Sequence, residues 1–301
     1  MKSQYRLARY IGHLSWLRLG IRRRLVRALA PQERVASAAF DTTHFAGRYR
    51  GDIANAQEWH VYFFGGYELK ELSLMTDILG QMNGPVALDI GGNLGGHALT
   101  MARVAKNVHT VEPFPPLADR IDSLMKMNGC DNVVIHRIGL GAEVSELDYY
   151  LDTESRNQGT GSFLNDHSDG GVAAKLKVVR GDEHFQGTLD ALDFIKIDIE
   201  GFEAPALSGL RNTLEKFRPI IMMEVTESSA RLFEEFGGIE KVMPFEFDLW
   251  KINNPSYPLG IFESGNYSIA PIDKLDAGKA SFNILIVPKN RAGELERFRK
   301  G

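Results

Sequence analysis

The chain has 301 residues with 35 Lys/Arg against 39 Asp/Glu, which gives a formal net charge of −4 at pH 7. This length accommodates one large α/β domain with an extension, or two small domains. Hydrophobic residues make up 44% and charged residues 25%, far from the disordered and membrane-spanning classes, and the acidic balance argues against nucleic-acid binding. The single cysteine, Cys130, excludes an intrachain disulfide and a multi-cysteine metal site and favours a cytoplasmic location.

The first 30 residues are basic, with eight Lys/Arg and no acidic residue. Helical spacing places seven apolar residues on one stripe: Leu7, Ile11, Leu14, Leu17, Ile21, Leu25 and Leu29. We therefore predict one basic amphipathic helix over residues 1–31, closed by Pro31. Two alternatives remain for it, packing on the chain's own domain or peripheral contact with an anionic membrane surface. Its apolar runs are too short for a signal peptide or a spanning helix.

Strands and helices then alternate along the chain. Residues 32–83 are predicted as a helical cap segment, residues 84–290 as the main domain, and residues 291–301 as a C-terminal tail. The main domain has predicted strands at 86–90, 108–112, 133–138, 193–198, 220–225, 245–252 and 282–287, and predicted helices at 94–105, 115–127 and 203–217. Such β–α units predict a doubly wound, mostly parallel α/β sheet with helices on both faces. The polar segment at 152–171 is either disordered or a lid.

A glycine-rich turn follows the first predicted strand and opens the next helix, with the sequence DIGGNLGGH over residues 89–97. Glycines let the backbone approach a ligand and adopt positive φ, and a helix start offers unpaired N–H groups. The G-x-G-x-x-G spacing of a dinucleotide site is not met. A carboxylate at Asp89 instead suits the cationic sulfonium of S-adenosylmethionine, which carries no phosphate. We predict that Asp89, Gly91, Asn93 and Gly95 bind this cofactor.

A second acid, Glu112, closes the next predicted strand, 21 residues after Gly91. At that position a carboxylate accepts hydrogen bonds from the two hydroxyls of a ribose. The combination of turn and acid predicts a nucleoside cofactor. Glu112 by itself does not separate S-adenosylmethionine from a nicotinamide dinucleotide, so a Rossmann oxidoreductase and a non-catalytic nucleoside-binding module remain alternatives.

Four stretches, which include the glycine-rich turn and Glu112, carry a family resemblance through their order and spacing. They are LDIGGNLG at 88–95, VEPFP at 111–115, IKIDIEGFE at 195–203 and PIIMMEV at 219–225. Together they resemble the FkbM family of methyltransferases, over about residues 64–290. The resemblance implies a class I fold of seven strands with the last one antiparallel, S-adenosylmethionine as methyl donor, and O-methylation, often of sugar or natural-product hydroxyls. It also implies that Glu68 contacts the cofactor, although a plain helix-start acid is the alternative.

Three carboxylates are candidate catalytic residues because they follow or end strands whose tips face the ligand crevice: Asp198, Glu224 and Glu200. Methyl transfer needs an in-line oxygen nucleophile and removal of the hydroxyl proton. We predict Asp198 as the base or orienting group and Glu224 as the second choice. The alternatives are that these acids bind a divalent cation, or that Lys196 pairs with one of them to hold the turn.

The remaining assignments concern His97, Glu203, a metal site and the acceptor. His97 is assigned to the cofactor side, with simple packing as the alternative, and Glu203 to the first turn of a helix. The eight histidines lack metal-ligand spacing, so no metal site is predicted. The acceptor is predicted to be a small molecule or glycan. Five aromatic residues either stack on it or fill the core: Tyr149, Tyr150, Phe163, Trp250 and Tyr257.

Overall fold

The computed structural model describes residues 3–151, 161–164, 172–254, 267–275 and 281–300. Most of the predicted lid at 152–171, and also Tyr257, therefore lie outside the described residues. Within the described ranges, no helix combines the length and the apolar character that crossing a membrane requires.

Two helices, α1 (Ser3–Gly12) and α2 (Leu19–Leu29), replace the one continuous helix predicted for residues 1–31. Of the predicted stripe, Ile11 and Leu29 pack on a core cluster, whereas Leu7 is 52% and Leu25 44% exposed. The break lets α2 fold back onto α1, where Arg22 Nη1 donates to the Gly12 carbonyl at 2.9 Å. The inner face therefore packs on the chain itself, and contact of the outer face with a membrane stays a prediction.

The cap segment contains a hairpin that the sequence did not reveal. Its strands are β1 (Ala39–His44) and β2 (Gly47–Asp52), and two helices follow, α3 (Ala56–Phe64) and α4 (Leu69–Leu79). The Asn55 side chain accepts from two N–H groups in the first turn of α3 and so caps the start of this helix. Packing of α3 against α1, with Tyr5 edge-on to Phe63, joins the cap to the N-terminal helices.

The rest of the chain continues the alternation. The strands are β3 (Val86–Ile90), β4 (Asn107–Val111), β5 (Val133–His136), β6 (Gly139–Leu140), β7 (Ser145–Leu151), β8 (Gly161–Ser162), β9 (Val172–Val179), β10 (Phe194–Ile197), β11 (Ile220–Val225), β12 (Phe247–Asn253), β13 (Ser268–Ile272) and β14 (Phe282–Pro288). The helices are α5 (Gly96–Ala102), α6 (Pro115–Asn128), α7 (Gly181–Phe185), α8 (Glu203–Gly209), α9 (Arg211–Phe217), α10 (Glu227–Glu235) and α11 (Ile239–Val242), and a 3-10 helix spans Lys289–Lys300.

The main sheet is mixed and has the strand order β13-β12-β14-β11-β10-β3-β4-β5. Six strands run parallel, and β13 and β14 run against them. The sequence predicts seven strands, whereas this sheet has eight among the described residues. The additional strand, β13, pairs along β12 and covers an edge that would otherwise expose unpaired backbone groups.

Helices pack on both faces of this sheet because alternate residues of its strands point to opposite sides. Leu88 and Ile221 join one buried cluster with Leu207 of α8. Ala87, Phe194 and Met222 join another, with Leu72 and Met75 of α4. This arrangement leaves the carboxyl ends of β3, β4, β10 and β11 side by side along one edge of the sheet.

Three other features differ from the sequence prediction. The predicted helix at 203–217 is split into α8 and α9, where Gly209 packs closely on the Gly141 carbonyl. A second sheet of order β6-β9-β7-β8 was not predicted. The predicted tail is anchored where Arg291 Nη1 donates to the Asp193 carbonyl at 2.9 Å, and Leu295 is buried.

Candidate active site

One cavity lies at the carboxyl edge of the main sheet, where the predicted site residues converge. Its wall includes eight of the ten residues proposed from the sequence: Glu68, Gly91, Asn93, His97, Glu112, Asp198, Glu200 and Glu224. Parallel pairing of β3 with β4 and β10, and of β10 with β11, brings these strand ends together. Residues up to 156 positions apart in the chain thus share one space.

The glycine-rich turn passes directly over the end of β10. Gly91 has φ of 89°, and a Cβ added there would overlap the Asp198 carbonyl oxygen. The N–H groups of Gly91 and Gly92 both donate to the Val111 carbonyl, at 3.0 and 3.1 Å. Glycine is required at position 91 because the conformation and the close approach both exclude a side chain. The turn is thereby fixed against both neighbouring strands.

Asp89 and Gly95 do not line the cavity. The Asp89 carboxylate is buried inside the sheet, where Thr110 Oγ1 donates to it at 3.3 Å. Burial raises the pKa of Asp89 to about 6, although His97 and Lys196 oppose the shift. Gly95 has φ of 84° and precedes α5, packed against Leu124. Both residues therefore act on the cavity through the shape of the turn, and the predicted contact of Asp89 with the cofactor stays a prediction.

Glu112 follows β4 and is held at the cavity wall by two backbone donors. The Asn93 N–H donates to Oε2 at 2.9 Å and the Phe114 N–H to Oε1 at 3.0 Å. Burial raises the pKa of Glu112 to about 7, although these two donors favour the ionised form. Each carboxylate oxygen keeps a second lone pair. The group is therefore oriented in advance and can still accept hydrogen bonds from two ligand hydroxyls.

A cluster of carboxylates forms the opposite wall, around one buried lysine. Lys196 is 1% exposed, and its Nζ donates to Asp198 Oδ2 at 3.1 Å. Although burial opposes it, Lys196 holds the pKa of Asp198 below its ordinary value, aided by a hydrogen bond from Glu224. Asp198, 26% exposed, is thus an ionised acceptor facing the cavity. The sequence alternative that Lys196 pairs with one acid is confirmed for Asp198.

The other two acids of the cluster favour the protonated form. Burial, followed by the charges of Asp198 and Glu200, raises the pKa of Glu224 to about 9. Burial and the charge of Asp198 raise the pKa of Glu200 to about 8. Glu200 also has φ of 52°, an unfavourable conformation for a residue with a side chain. Several acids sharing one space with one lysine make a site that a cation would stabilise.

Glu203 holds the turn after β10 rather than facing the cavity. Its Oε1 accepts from the N–H groups of Ile199 and Gly201, both at 3.1 Å, and its Oε2 accepts from Ser229 Oγ at 2.6 Å. The residue is fully buried and begins α8. The predicted placement in the first helical turn is confirmed.

The chain matches the Methyltransferase FkbM domain family over residues 89–249, just over half of its length. The chain belongs to this family. The match includes the glycine-rich turn, Glu112 and all three catalytic candidates. Membership favours methyl transfer over the nicotinamide oxidoreductase among the alternatives.

Individual relatives are more distant. The chain is 28% identical over 139 residues to the hexuronic acid methyltransferase AglP of Haloferax volcanii, covering 46% of this chain and 54% of that protein. It thus spans about half the length of this curated relative. Among solved structures, methyltransferase FkbM from Methylobacillus flagellatus KT has a TM-score of 0.43 at 16% identity, covering 67% of this chain and 43% of that one. A SAM-dependent methyltransferase from Agrobacterium tumefaciens has a TM-score of 0.44 at 9% identity, covering 86% and 72%. The family assignment does not rest on these structures.

In this member of the FkbM family the cap contributes cavity residues that sequence reasoning missed. Tyr67 and Gln57 line the cavity, and Gln57 Oε1 accepts from Asn93 Nδ2 at 3.4 Å. Burial, then Glu68 and Asp198, raise the pKa of the Tyr67 phenol. The GGY motif before Glu68 was the available signal for Tyr67. For Gln57 there was none, because only the fold places α3 over the turn.

Glu68 and His97 face each other across the cavity wall. Their Oε2 and Nε2 atoms are 3.3 Å apart, and neither atom has a hydrogen bond of good geometry in the described structure. Glu68 has φ of 53° and precedes α4. Two buried polar atoms without hydrogen bonds at a cavity wall are suited to meeting polar groups of a ligand.

The structure also separates aromatic residues of the cavity wall from those of the core. Tyr149 and Phe163 line the cavity, and Tyr149 stacks on Phe114 with ring centroids 5.4 Å apart. Trp250 is buried in the core. Among the described residues, no group of three or more His, Cys, Asp or Glu has the arrangement of a metal site.

Proposed function

We propose that this protein is an S-adenosylmethionine-dependent O-methyltransferase that acts on a sugar or a small hydroxylated metabolite. The observation that carries the proposal is one cavity with a ribose-type acceptor, Glu112, at one side and a carboxylate cluster at the other. A nucleoside with a cationic sulfonium matches both ends. The methionine part of the donor carries an ammonium group, for which Glu68 is the proposed partner.

The fold supports the same proposal. Strands β3–β5, β10–β12 and β14 match the class I arrangement of seven strands with β14 antiparallel, and β13 is an addition at the edge. The glycine-rich turn follows β3, next to the point where the strand order reverses direction. Ligands of open α/β sheets bind at such a point.

The donor supplies an electrophilic methyl group, and the side chains of this protein position and deprotonate the acceptor. Asp198 is kept ionised by Lys196, so it can orient the acceptor hydroxyl and accept its proton. Glu224 is the second base, and it becomes ionised more readily when a cation occupies the cavity. Glu200 stabilises the positive charge of the donor.

The sugar class of acceptor is supported by two facts. The curated relative AglP is named as a hexuronic acid methyltransferase. The cavity wall also offers several hydrogen-bond acceptors, as recognition of a polyol requires. Because the chain covers about half of that relative, the acceptor is part of the proposal.

The decisive experiment measures ligand binding and turnover separately. We expect S-adenosylhomocysteine to raise the melting temperature and NAD to leave it unchanged. Labelled methyl transfer from S-adenosylmethionine to extracted glycans should be lost in the double variant Asp198→Ala, Glu224→Ala and kept in Asp122→Asn, an exposed control in α6. Stabilisation by NAD alone, or turnover that survives in the double variant, would contradict the proposal.

A further inference from the structure

A second cavity, of about 980 Å³, opens beside the first, between the N-terminal helices and the main sheet. We call it the outer groove. Its walls come from α2, from the connection between α3 and α4, and from the ends of β12 and β14. Tyr67, Glu68 and Glu224 line both cavities. The two spaces therefore meet at these three side chains, next to the carboxylate cluster.

We propose that the outer groove binds the methyl acceptor, and that this acceptor is a saccharide carrying an anionic group. The inference rests on the proposed function, because it takes the first cavity as the site of the methyl donor. An in-line displacement requires the acceptor oxygen to approach the methyl carbon opposite the sulfur. The outer groove leads to the carboxylate end of the donor cavity, where that approach would occur.

Cations dominate the outer groove away from the shared residues. Arg22, Arg23, Lys70 and Lys251 line it, whereas Glu71 is the one carboxylate among its described residues beyond the shared wall. Glu71 is buried, and its Oε1 lies 3.4 Å from Lys70 Nζ. Lys70 is 27% exposed and Arg23 is exposed, so both can reach a bound group. An anion is the charge that these two residues select.

The histidines of the groove do not add cations at neutral pH. Burial lowers the pKa of His60 to about 4; the hydrogen bond to the Ala56 carbonyl opposes this shift, and Arg23 and Arg27 add to it. The pKa of His13 is also lowered, first by burial and then by Arg9. Both rings are therefore neutral hydrogen-bonding groups at pH 7. Arg23 and His60 both line the groove.

The floor and the rim of the groove point to a saccharide. Asn283 Nδ2 donates to Glu71 Oε1 at 2.9 Å, which leaves Glu71 Oε2 and Asn283 Oδ1 buried without hydrogen-bond partners in the described structure. Hydroxyl donors of a ligand would satisfy such acceptors. At the rim, Trp16 is 56% exposed and offers a flat apolar face. A sugar ring has both an apolar face and hydroxyl groups on its edge.

Methyl transfer needs no reactant beyond the donor, the acceptor hydroxyl and a carboxylate that accepts the proton. The bond between the methyl carbon and sulfur breaks, and sulfur keeps the electron pair as a neutral thioether. A bond forms between that carbon and the acceptor hydroxyl oxygen. The hydroxyl proton passes to Asp198 or Glu224 and then to solvent. The anionic group of the acceptor takes no part in the chemistry and serves only for recognition.

The test compares three acceptors with the intact protein and labelled S-adenosylmethionine. They are p-nitrophenyl glucuronide, p-nitrophenyl glucoside and glucose 1-phosphate, which separate a carboxylate from a phosphate and from a neutral sugar. We expect kcat/KM for at least one anionic acceptor to exceed that for the glucoside roughly tenfold. Arg23→Gln and Lys70→Met should each raise KM for that acceptor roughly tenfold and raise KM for the glucoside less. Arg24→Gln, exposed on α2 and outside the groove, is the matched control.

Binding of S-adenosylhomocysteine distinguishes failure of the proposed function from failure of the outer groove assignment. If it does not bind, the proposed function fails, and the acceptor assignment falls with it. If it binds equally to all variants but the glucoside is the best acceptor, the outer groove assignment is wrong and the proposed function stands. The same conclusion follows if none of the three sugars is methylated, or if both groove variants keep the wild-type KM.

Discussion

Lys196 and Asp198, two residues apart at the end of β10, form an ion pair with an Nζ–Oδ2 distance of 3.1 Å. Lys196 is buried inside the sheet, and Asp198 faces the cavity. Asp89 lies beside Lys196 in the pairing of β3 with β10. Burial opposes a charge on Lys196, but Asp198, Glu68 and Asp89 together raise its pKa. The lysine is therefore the single buried counter-charge to several acids in the described site.

Replacement of that lysine should cost substantial stability. In Lys196→Met the buried carboxylates lose their partner, and we expect the free energy of unfolding at pH 7 to fall by about 3–5 kcal/mol. The matched control is Lys126→Met, which breaks an exposed ion pair in α6 and should cost about 0.5 kcal/mol or less. Urea denaturation of both variants measures the difference. Equal losses would show that Lys196 has no special role.

Substitution of Gly91 and Gly129 by alanine separates the cost of backbone strain from the cost of steric overlap. Both have positive φ, at 89° and 62°, but a Cβ at Gly129 would meet nothing within 4 Å whereas one at Gly91 would overlap the Asp198 carbonyl. Gly129→Ala should therefore cost about 1–2 kcal/mol from strain alone. Gly91→Ala should cost more and weaken binding of S-adenosylhomocysteine at least about tenfold. Thermal unfolding and calorimetry measure both effects, and equal behaviour of the two variants would refute the overlap.

Glu112→Gln tests the ribose contact. The amide keeps the size of the side chain but offers one acceptor oxygen where the carboxylate offers two, so a backbone N–H and a ribose hydroxyl lose their acceptor. We expect binding of S-adenosylhomocysteine to weaken roughly 10–100-fold. Isothermal titration measures this, with Asp122→Asn as the control for loss of one charge. Unchanged affinity would remove Glu112 from the site.

The carboxylate cluster should make donor binding depend on pH. Glu200 and Glu224, with pKa values of about 8 and 9, are largely protonated at pH 7 in the free protein. A cation favours their ionised forms, so its binding releases protons and strengthens as pH rises through these values. The thioether product has no sulfonium charge. The affinity ratio of S-adenosylmethionine to S-adenosylhomocysteine should therefore rise between pH 7 and about 9.

The variant Glu224→Gln supplies the control for that titration. It removes the group with the highest pKa in the cluster, so the ratio should rise less steeply and level off at lower pH. Use of the ratio cancels the titration of Glu112, which affects both ligands alike. A ratio that is independent of pH in the wild-type protein would contradict the assigned carboxylate cluster.

The parts of the site that local sequence encodes were predictable. The positive φ of the turn needs a glycine at position 91, and β11 (Ile220–Val225) was predicted with its observed bounds because a short apolar run between turn signals favours a strand. Parallel strands then bring their ends together, which is why Glu112, Asp198 and Glu224 could be grouped before the fold was known.

Other parts depend on packing that no local pattern reveals. The stripe of leucines at residues 7–29 fits one helix, but Gly12 packs on the Phe63 backbone and the chain turns after it, so only part of the stripe packs on the core. Gln57 reaches the site only because α3 lies over the turn. The placement of Asp89 behind the wall was equally hidden, since its register with Lys196 is set by strand pairing.

The backbone link between the glycine-rich turn and β10 has a consequence for how substrate preference can change. Asp198 N–H donates to the Ile90 carbonyl at 3.0 Å, and the next residue of the turn rests on the Asp198 carbonyl. The proposed donor site and Asp198 are thus neighbours in one network of backbone hydrogen bonds. Helices α1 and α2 lie outside that network and outside the matched family region. Under the proposed acceptor assignment, diversification of the N-terminal helices would alter which molecule is modified while the spacing between the glycine-rich turn and Asp198 is preserved.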